Sequence, residues 1–277
     1  MTSVRQAVSG LERKLGNRME AEVLVAFGIG RERSWLYGHP ESILSPDQLK
    51  KLNDLADRRA AGQPVAYLTG QREFYGRSFR VSPAVLIPRP ETEMLVDQAL
   101  ALDLPRRARV LDMGTGSGCI ALSLAAERPE WQITATDLST DALAVAADNR
   151  QQMNLDRVEL LAGDLFVPVR DRSFDLIISN PPYVAATDPH LERGDLPAEP
   201  RLALTPGGDG LSVIARMLAA APSYLSPAGW LIIEHGHDQG SRVRKLFLAA
   251  GFEQVKTCDD LAKLERLTMG CKNQAER

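Results

Sequence analysis

The later part of the chain alternates short apolar runs with amphipathic stretches, and that alternation restricts its fold more than any other feature. The runs are Arg109–Met113, Gln132–Thr136, Val158–Ala162, Phe174–Ser179 and Trp230–Glu234. Helices are predicted over Cys119–Glu127, Ser139–Met153, Gly210–Tyr224 and Gln239–Ala250. Strands without a polar face must be buried on both sides, which a parallel sheet covered by helices provides. The predicted class is therefore α/β, with a Rossmann-like doubly wound sheet. The tail departs from this pattern. Phe252–Cys258 and Glu265–Cys271 are joined by a loop too short for a crossover helix, so that strand pair is predicted antiparallel.

The first seventy residues read as helices only, over Thr2–Leu15, over Met19–Phe27 and after Ser45. Ser45 is a good N-cap, Pro46 fits the first helical position and Gln48 completes a capping box. Leu49, Leu52, Leu55 and Ala56 then share one face, and Gly62 can end the helix. Three or four such helices make a small bundle. From Glu73 to Val81, aromatic and branched residues flank Gly76, which predicts a hairpin, and Pro83, Pro88 and Pro90 stiffen the chain beyond it. The predicted organisation is a helical module over 1–70, a hairpin linker over 71–90 and a sheet module over 91–277.

Composition removes several classes of function. A formal net charge of -3 argues against a surface built to hold nucleic acid by counterion release. Cys119, Cys258 and Cys271 are odd in number and far apart, which disfavours a disulfide framework or a cysteine zinc site. His235 and His237 form an HxH pair, but no carboxylate cluster completes a site, so no metal is expected. There is neither a signal-peptide pattern nor an apolar run of transmembrane length, and the expected setting is the cytoplasm, without membrane association.

The first run leads into Gly114-Thr115-Gly116-Ser117-Gly118 and then a helix. A glycine turn lets backbone approach a ligand closely, although alone it is equally a tight strand-to-helix connection. Two carboxylates strengthen the ligand reading. Asp137 ends the second strand, where it can accept bonds from ribose hydroxyls, and Asp164 comes after the third, where it can take an adenine amino group under the cover of Leu165. A nicotinamide dinucleotide is the obvious competitor, with its GxGxxG spacing and pyrophosphate. Here the spacing is GxGxG, with no conspicuous Lys or Arg in the turn. S-adenosylmethionine has no phosphate and fits better.

The fourth strand runs into Asn180-Pro181-Pro182-Tyr183. A proline stop after a strand explains one proline, but not this tetrapeptide beside a nucleoside site. Two acceptors aimed at both N–H groups can hold a planar, amide-like nitrogen and favour charge developing on it. The Asn180 side-chain oxygen is one and the Pro181 carbonyl is the other, with Pro182 fixing the chain and supplying no competing N–H. Asn180 also counts among the cofactor contacts. Tyr183 can stack on the flat substrate group. No strong general base is needed, and alignment contributes much of the rate.

With these motifs the chain resembles the bacterial release factor glutamine methyltransferases, the protein-(glutamine-N5) methyltransferase family, over nearly its whole length. The resemblance is carried by Leu68-Thr69-Gly70, Arg72-Glu73-Phe74, Leu86 to Glu93, the glycine turn, Asn180 to Tyr183, Glu199-Pro200, Asp209-Gly210 and Glu234-His235-Gly236. It implies a class I methyltransferase sheet that uses S-adenosyl-L-methionine. The implied substrate is the glutamine of the Gly-Gly-Gln motif in class-1 peptide chain release factors, methylated on N5. It further implies that the helical module docks the release factor, and that Arg89, Glu91 and Thr92 lie beside the methionine end of the cofactor. Leu165 stands where aromatic residues are common, and Leu261 to Arg266 depart from the commoner family loop.

Three other readings compete. A DNA or RNA exocyclic-amine methyltransferase needs a basic face. Residues 1–70 hold ten Lys and Arg against eight Asp and Glu, although Arg72, Arg77, Arg80 and Arg89 make the hairpin more basic. A ribosomal-protein glutamine methyltransferase would differ mainly in docking. A nucleotide-sensing module would not need the acceptors at Asn180. Asp112 is read as support for the glycine turn, and Asp188–Gly208 as a loop at the substrate entrance with Glu199-Pro200 near the glutamine.

Overall fold

The computed structural model describes residues 1–273; residues 274–277, part of the expected sheet module, lie outside them. The chain divides into two compact units, one of Met1–Gln71 with Arg193–Ala198, the other of Arg72–Glu192 with the chain from Glu199 onward. The returning segment Arg193–Ala198 is the part of this division that local pattern does not announce.

The first unit holds α1 (Val4–Leu15), α2 (Arg18–Ile29), α3 (Arg33–Gly38), α4 (Pro46–Ala60) and α5 (Val65–Thr69). Capping boxes start α1 and α4, with Ser3 answered by Gln6 and Ser45 by Gln48. Leu11, Leu24, Val25, Leu52 and Leu55 make its core. Arg59 of α4 donates to Glu20 and, at 2.8 Å, to Asp195 of the returning segment. Five helices form where three or four were expected, because α3 and α5 are single turns too short for a periodic signal.

The second unit opens at Arg72, one residue into the hairpin of β1 (Gln71–Phe74) and β2 (Arg77–Arg80), whose turn places Tyr75 and Gly76 at positive φ. The hairpin does more than link. Phe74 and Phe79 are fully buried in a core cluster of the sheet, edge to face at 6.0 Å. There follow α6 (Glu93–Ala101), β3 (Arg109–Met113), α7 (Cys119–Glu127), β4 (Gln132–Asp137), α8 (Thr140–Gln152) and β5 (Glu159–Ala162). Then come β6 (Phe174–Ser179), α9 (Arg201–Leu204), α10 (Ser212–Tyr224), β7 (Leu225–Glu234), α11 (Gly240–Ala249), β8 (Phe252–Asp259) and β9 (Glu265–Lys272).

The sheet has seven strands in the order β5-β4-β3-β6-β7-β9-β8. The strands β5, β4, β3, β6 and β7 are parallel; β9 is antiparallel to β7 and also to β8, the latter as the short tail loop requires. Successive residues face opposite layers. Val110, Leu176, Ile178 and Ile232 pack with α6 and α7, whereas Leu111, Ile177, Leu231 and Ile233 pack with α10 and α11. β7 begins five residues before its expected start, since Pro227 and Gly229 read as turn residues; a register shift opposite Phe174–Leu176 accommodates them.

Candidate functional site

Register brings the two key loops together. Met113 pairs with Ser179 across β3 and β6, and the Ser179 hydroxyl donates to the Met113 carbonyl at 2.6 Å. The glycine turn and Asn180 therefore leave adjacent strands at the same end of the sheet. From β3 the sheet grows through β4 on one side and β6 on the other, which is the switch point where open α/β sheets bind ligands. A cavity of about 410 Å³ opens there.

Its walls contain Arg89, Thr92, Gly114, Thr115, Gly116, Ser117, Asp137, Asp164, Leu165, Asn180, Pro181 and Pro182, all anticipated from sequence. Glu91 is exposed and lies outside the wall, because it sits on a single 3-10 turn whose next residue, Thr92, points inward. Tyr183 is not in the wall either. Its hydroxyl donates to Glu234 Oε1 at 3.1 Å and its carbonyl accepts from Gln239 at 2.9 Å, so the ring expected to stack on a substrate is tied into the protein.

The glycine turn is braced from below and beside. Buried Asp112 accepts from the Thr115 hydroxyl at 2.6 Å and the Ala121 amide, and burial pushes its carboxyl up to about 7. Gly116 adopts φ 56°, a conformation that glycine takes without strain, and its N–H reaches Asp137 Oδ2 at 2.8 Å. The other Asp137 oxygen accepts from the Ser139 amide. Burial raises the Asp137 carboxyl, partly offset by these amide bonds. Buried Asn149 of α8 ties the Ser117 carbonyl to the Arg80 backbone of the hairpin, a brace that no local motif signals.

Both arginines in the wall are answered by carboxylates. Arg216 of α10 pairs with Asp164 and Arg89 with Glu199. Glu199 is completely buried on its side chain and also accepts from the Ile87 amide at 3.0 Å. Pro200, Leu202 and Ala203 of the same segment line the cavity. A wall with apolar cover, neutralised arginines and a glycine turn without a cation fits a nucleoside carrying a sulfonium, and is poorly suited to a pyrophosphate. Leu165 holds φ 46° in that wall, a left-handed conformation rare for a leucine.

Around Asn180 the geometry is specific. Its Nδ2 donates to Thr92 Oγ1 at 3.0 Å, and Thr92 Oγ1 donates to Glu234 Oε2 at 2.8 Å. The amide nitrogen is thereby committed to the protein, and the amide oxygen is the end left for a ligand. Gly210 closes the loop against this tetrapeptide: it takes φ 84°, and a Cβ there would lie 2.1 Å from the Tyr183 carbonyl. Glu234, bonded to Thr92 and Tyr183, and Arg216, in the cavity wall, are members of this site that local sequence reasoning misses. A carboxylate ending an apolar strand is the signal that exposes Asp137, and the same signal stands at Glu234.

His235 is buried between Thr268 and the Gly236 carbonyl, and burial lowers its pKa. Among the described residues no helix is long and apolar enough to cross a membrane.

Similarity to known proteins parallels the division of the chain. The family model of the Methyltransferase small domain matches residues 91–209, and that of the PrmC N-terminal domain matches residues 3–70. A release factor glutamine methyltransferase of Xylella fastidiosa is 47% identical over 254 residues, covering 91% of this chain and 92% of its own. That of Escherichia coli is 41% identical, covering 96% of both chains. Among solved structures, a methyltransferase from Pyrococcus furiosus superposes with a TM-score of 0.55 at 17% identity, covering 80% of this chain and 99% of its own, which shows the shared fold.

Proposed function

The chain belongs to the release factor glutamine methyltransferases, and on that premise we propose which atoms carry its reaction. It is an S-adenosylmethionine-dependent enzyme that methylates a glutamine of a release factor. The site of transfer is N5 of the glutamine in the Gly-Gly-Gln motif of class-1 release factors, which places the enzyme in the cytoplasm with its substrate. Nucleic acid is not a substrate in this reading. The net charge of -3 supports that choice.

When bound, S-adenosylmethionine supplies a methyl carbon already activated by its sulfonium, and the sulfur keeps the electron pair of the broken bond. Gly114 to Gly118, Asp137, Asp164 and Leu165 hold the nucleoside, with Arg89 and Thr92 toward the methionine end. Asn180 Oδ1 and the Pro181 carbonyl accept the two N–H groups of the glutamine amide. They draw charge onto its nitrogen as the N–C bond forms, and one N–H proton is then released to solvent. Pro182 keeps the second carbonyl in place. Tyr183 acts through its anchor on Glu234 rather than by stacking. The helical unit docks the body of the release factor.

One observation carries this reading: the Asn180 nitrogen is bonded to Thr92, so its oxygen remains available beside the glycine turn. The test mixes the protein, labelled cofactor and release factor carrying Gln or Ala in the Gly-Gly-Gln loop. Label is expected on the Gln form alone. Equal label on the Ala form, or on nucleic acid, would overturn the proposal.

A further inference from the structure

The buried carboxyl of Glu234 takes no direct part in the reaction just described, yet it ends the hydrogen-bond chain that reaches the acceptor. Glu234 is 1% exposed at the end of β7. Its Oε2 accepts from Thr92 and its Oε1 from Tyr183. Thr92 accepts from the Asn180 nitrogen with the same oxygen that donates to Glu234. A hydroxyl has one proton. While Thr92 gives it to Glu234, only lone pairs face Asn180, so the amide turns its NH2 to Thr92 and its oxygen to the cavity. A protonated Glu234 can instead donate to Thr92. Thr92 can then direct its proton at Asn180, whose amide must rotate by half a turn. An NH2 would now confront the NH2 of the substrate, donor against donor.

We propose that Glu234 is a positioning residue whose carboxylate, relayed through Thr92, sets which end of the Asn180 amide faces the substrate nitrogen, so that methyl transfer requires Glu234 to be ionised. This rests on the reading of Asn180 as an acceptor.

The surroundings make Glu234 the member of the network that changes charge near neutrality. Burial pushes its carboxyl up to about 7; the bonds from Thr92 and Tyr183 and the charge of Arg266 on β9 hold it down, and Glu91 raises it. Burial and the charge of Glu234 raise the Tyr183 phenol, which stays protonated, while Arg266 and Arg89 oppose that shift. Burial likewise pushes the Cys119 thiol on α7 up to about 12.

The test measures methyl transfer to release factor at saturating cofactor from about pH 5.5 to about pH 9, with cofactor affinity measured in parallel. In the unaltered enzyme kcat is expected to fall about tenfold per pH unit below neutrality. Glu234→Gln cannot enforce the polarity at any pH: kcat is expected about tenfold lower near pH ~9, the acid limb is gone, and cofactor affinity stays within about threefold. Thr92→Val cuts the relay and abolishes the limb, whereas Thr92→Ser keeps it. Thr92→Val decides the matter if Glu234→Gln does not fold. A limb that survives unchanged in Glu234→Gln or Thr92→Val, or a flat profile in the unaltered enzyme, overturns the role of Glu234. Asn180→Ala is expected to lose kcat at every pH; full kcat there would instead sink the acceptor reading itself.

Discussion

In the helical unit buried and half-buried carboxylates are met by arginine. Glu22, nearly inaccessible, receives Arg18 and Arg33, and Glu20 shares Arg59 with Asp195. In the sheet unit the fully buried Asp112 and Glu234 meet only hydroxyls and a backbone amide. Removing one member of a buried ion pair is strongly destabilising, so the first arrangement serves to fix helices. The second arrangement leaves carboxyls raised to about 7, able to gain or lose a proton in the working range. Charge paired with arginine is architecture, in the helical unit and at Glu199 and Asp260 of the sheet unit alike, whereas the carboxyls of Asp112 and Glu234, hydrogen-bonded to no arginine, are a variable.

Three measurements press on that contrast. Leu52→Ala removes a buried side chain from the helical core and is expected to cost about 2–5 kcal/mol by chemical unfolding, with cofactor affinity of the folded protein unchanged. A parallel loss of cofactor affinity would break the separation. Asp112→Asn acts in the other direction. A carboxyl raised from 3.8 to about 7 on folding contributes stability below its unfolded value that is lost as pH rises through about 7. The variant is therefore expected to exceed the parent in stability by roughly 1–3 kcal/mol near pH ~8.5, with the gap closing toward pH ~4. A gap independent of pH would contradict the contrast. The smallest effect is Ser45→Ala, about 1 kcal/mol from the lost cap of α4. A thermal unfolding midpoint that shifts equally at both pH values would sharpen the picture of a unit held by local bonds.

Much of this molecule is legible in its sequence because much of it is local. The Ser45–Gln48 capping box, the Tyr75-Gly76 hairpin turn and the antiparallel tail depend on residues a few positions apart, and the structure contains them all. The glycine turn and Asn180 to Pro182 are equally visible, since each motif lies on one strand end. The hidden part depends on sheet order. Asn180 reaches Thr92 across 88 positions and Thr92 reaches Glu234 across 142, and only the placement of β7 beside β6 joins them. For the same reason Tyr183 looks free to stack, since its tie to Glu234 spans 51 positions. Glu91 looks equivalent to Thr92 because sequence does not tell which side of a single turn faces inward.

The return of Arg193–Ala198 to the helical unit bears on how such proteins can be recombined. A fragment ending at Gln71 carries Arg59 but not Asp195, so one guanidinium contact is severed by the scissors rather than by any substitution. Transplanting the helical unit between relatives therefore calls for two inserts, the leading helices and a six-residue patch spliced between the tetrapeptide loop and Glu199. A chimera made at a single junction takes Arg59 from one parent and the residue that faces it from the other.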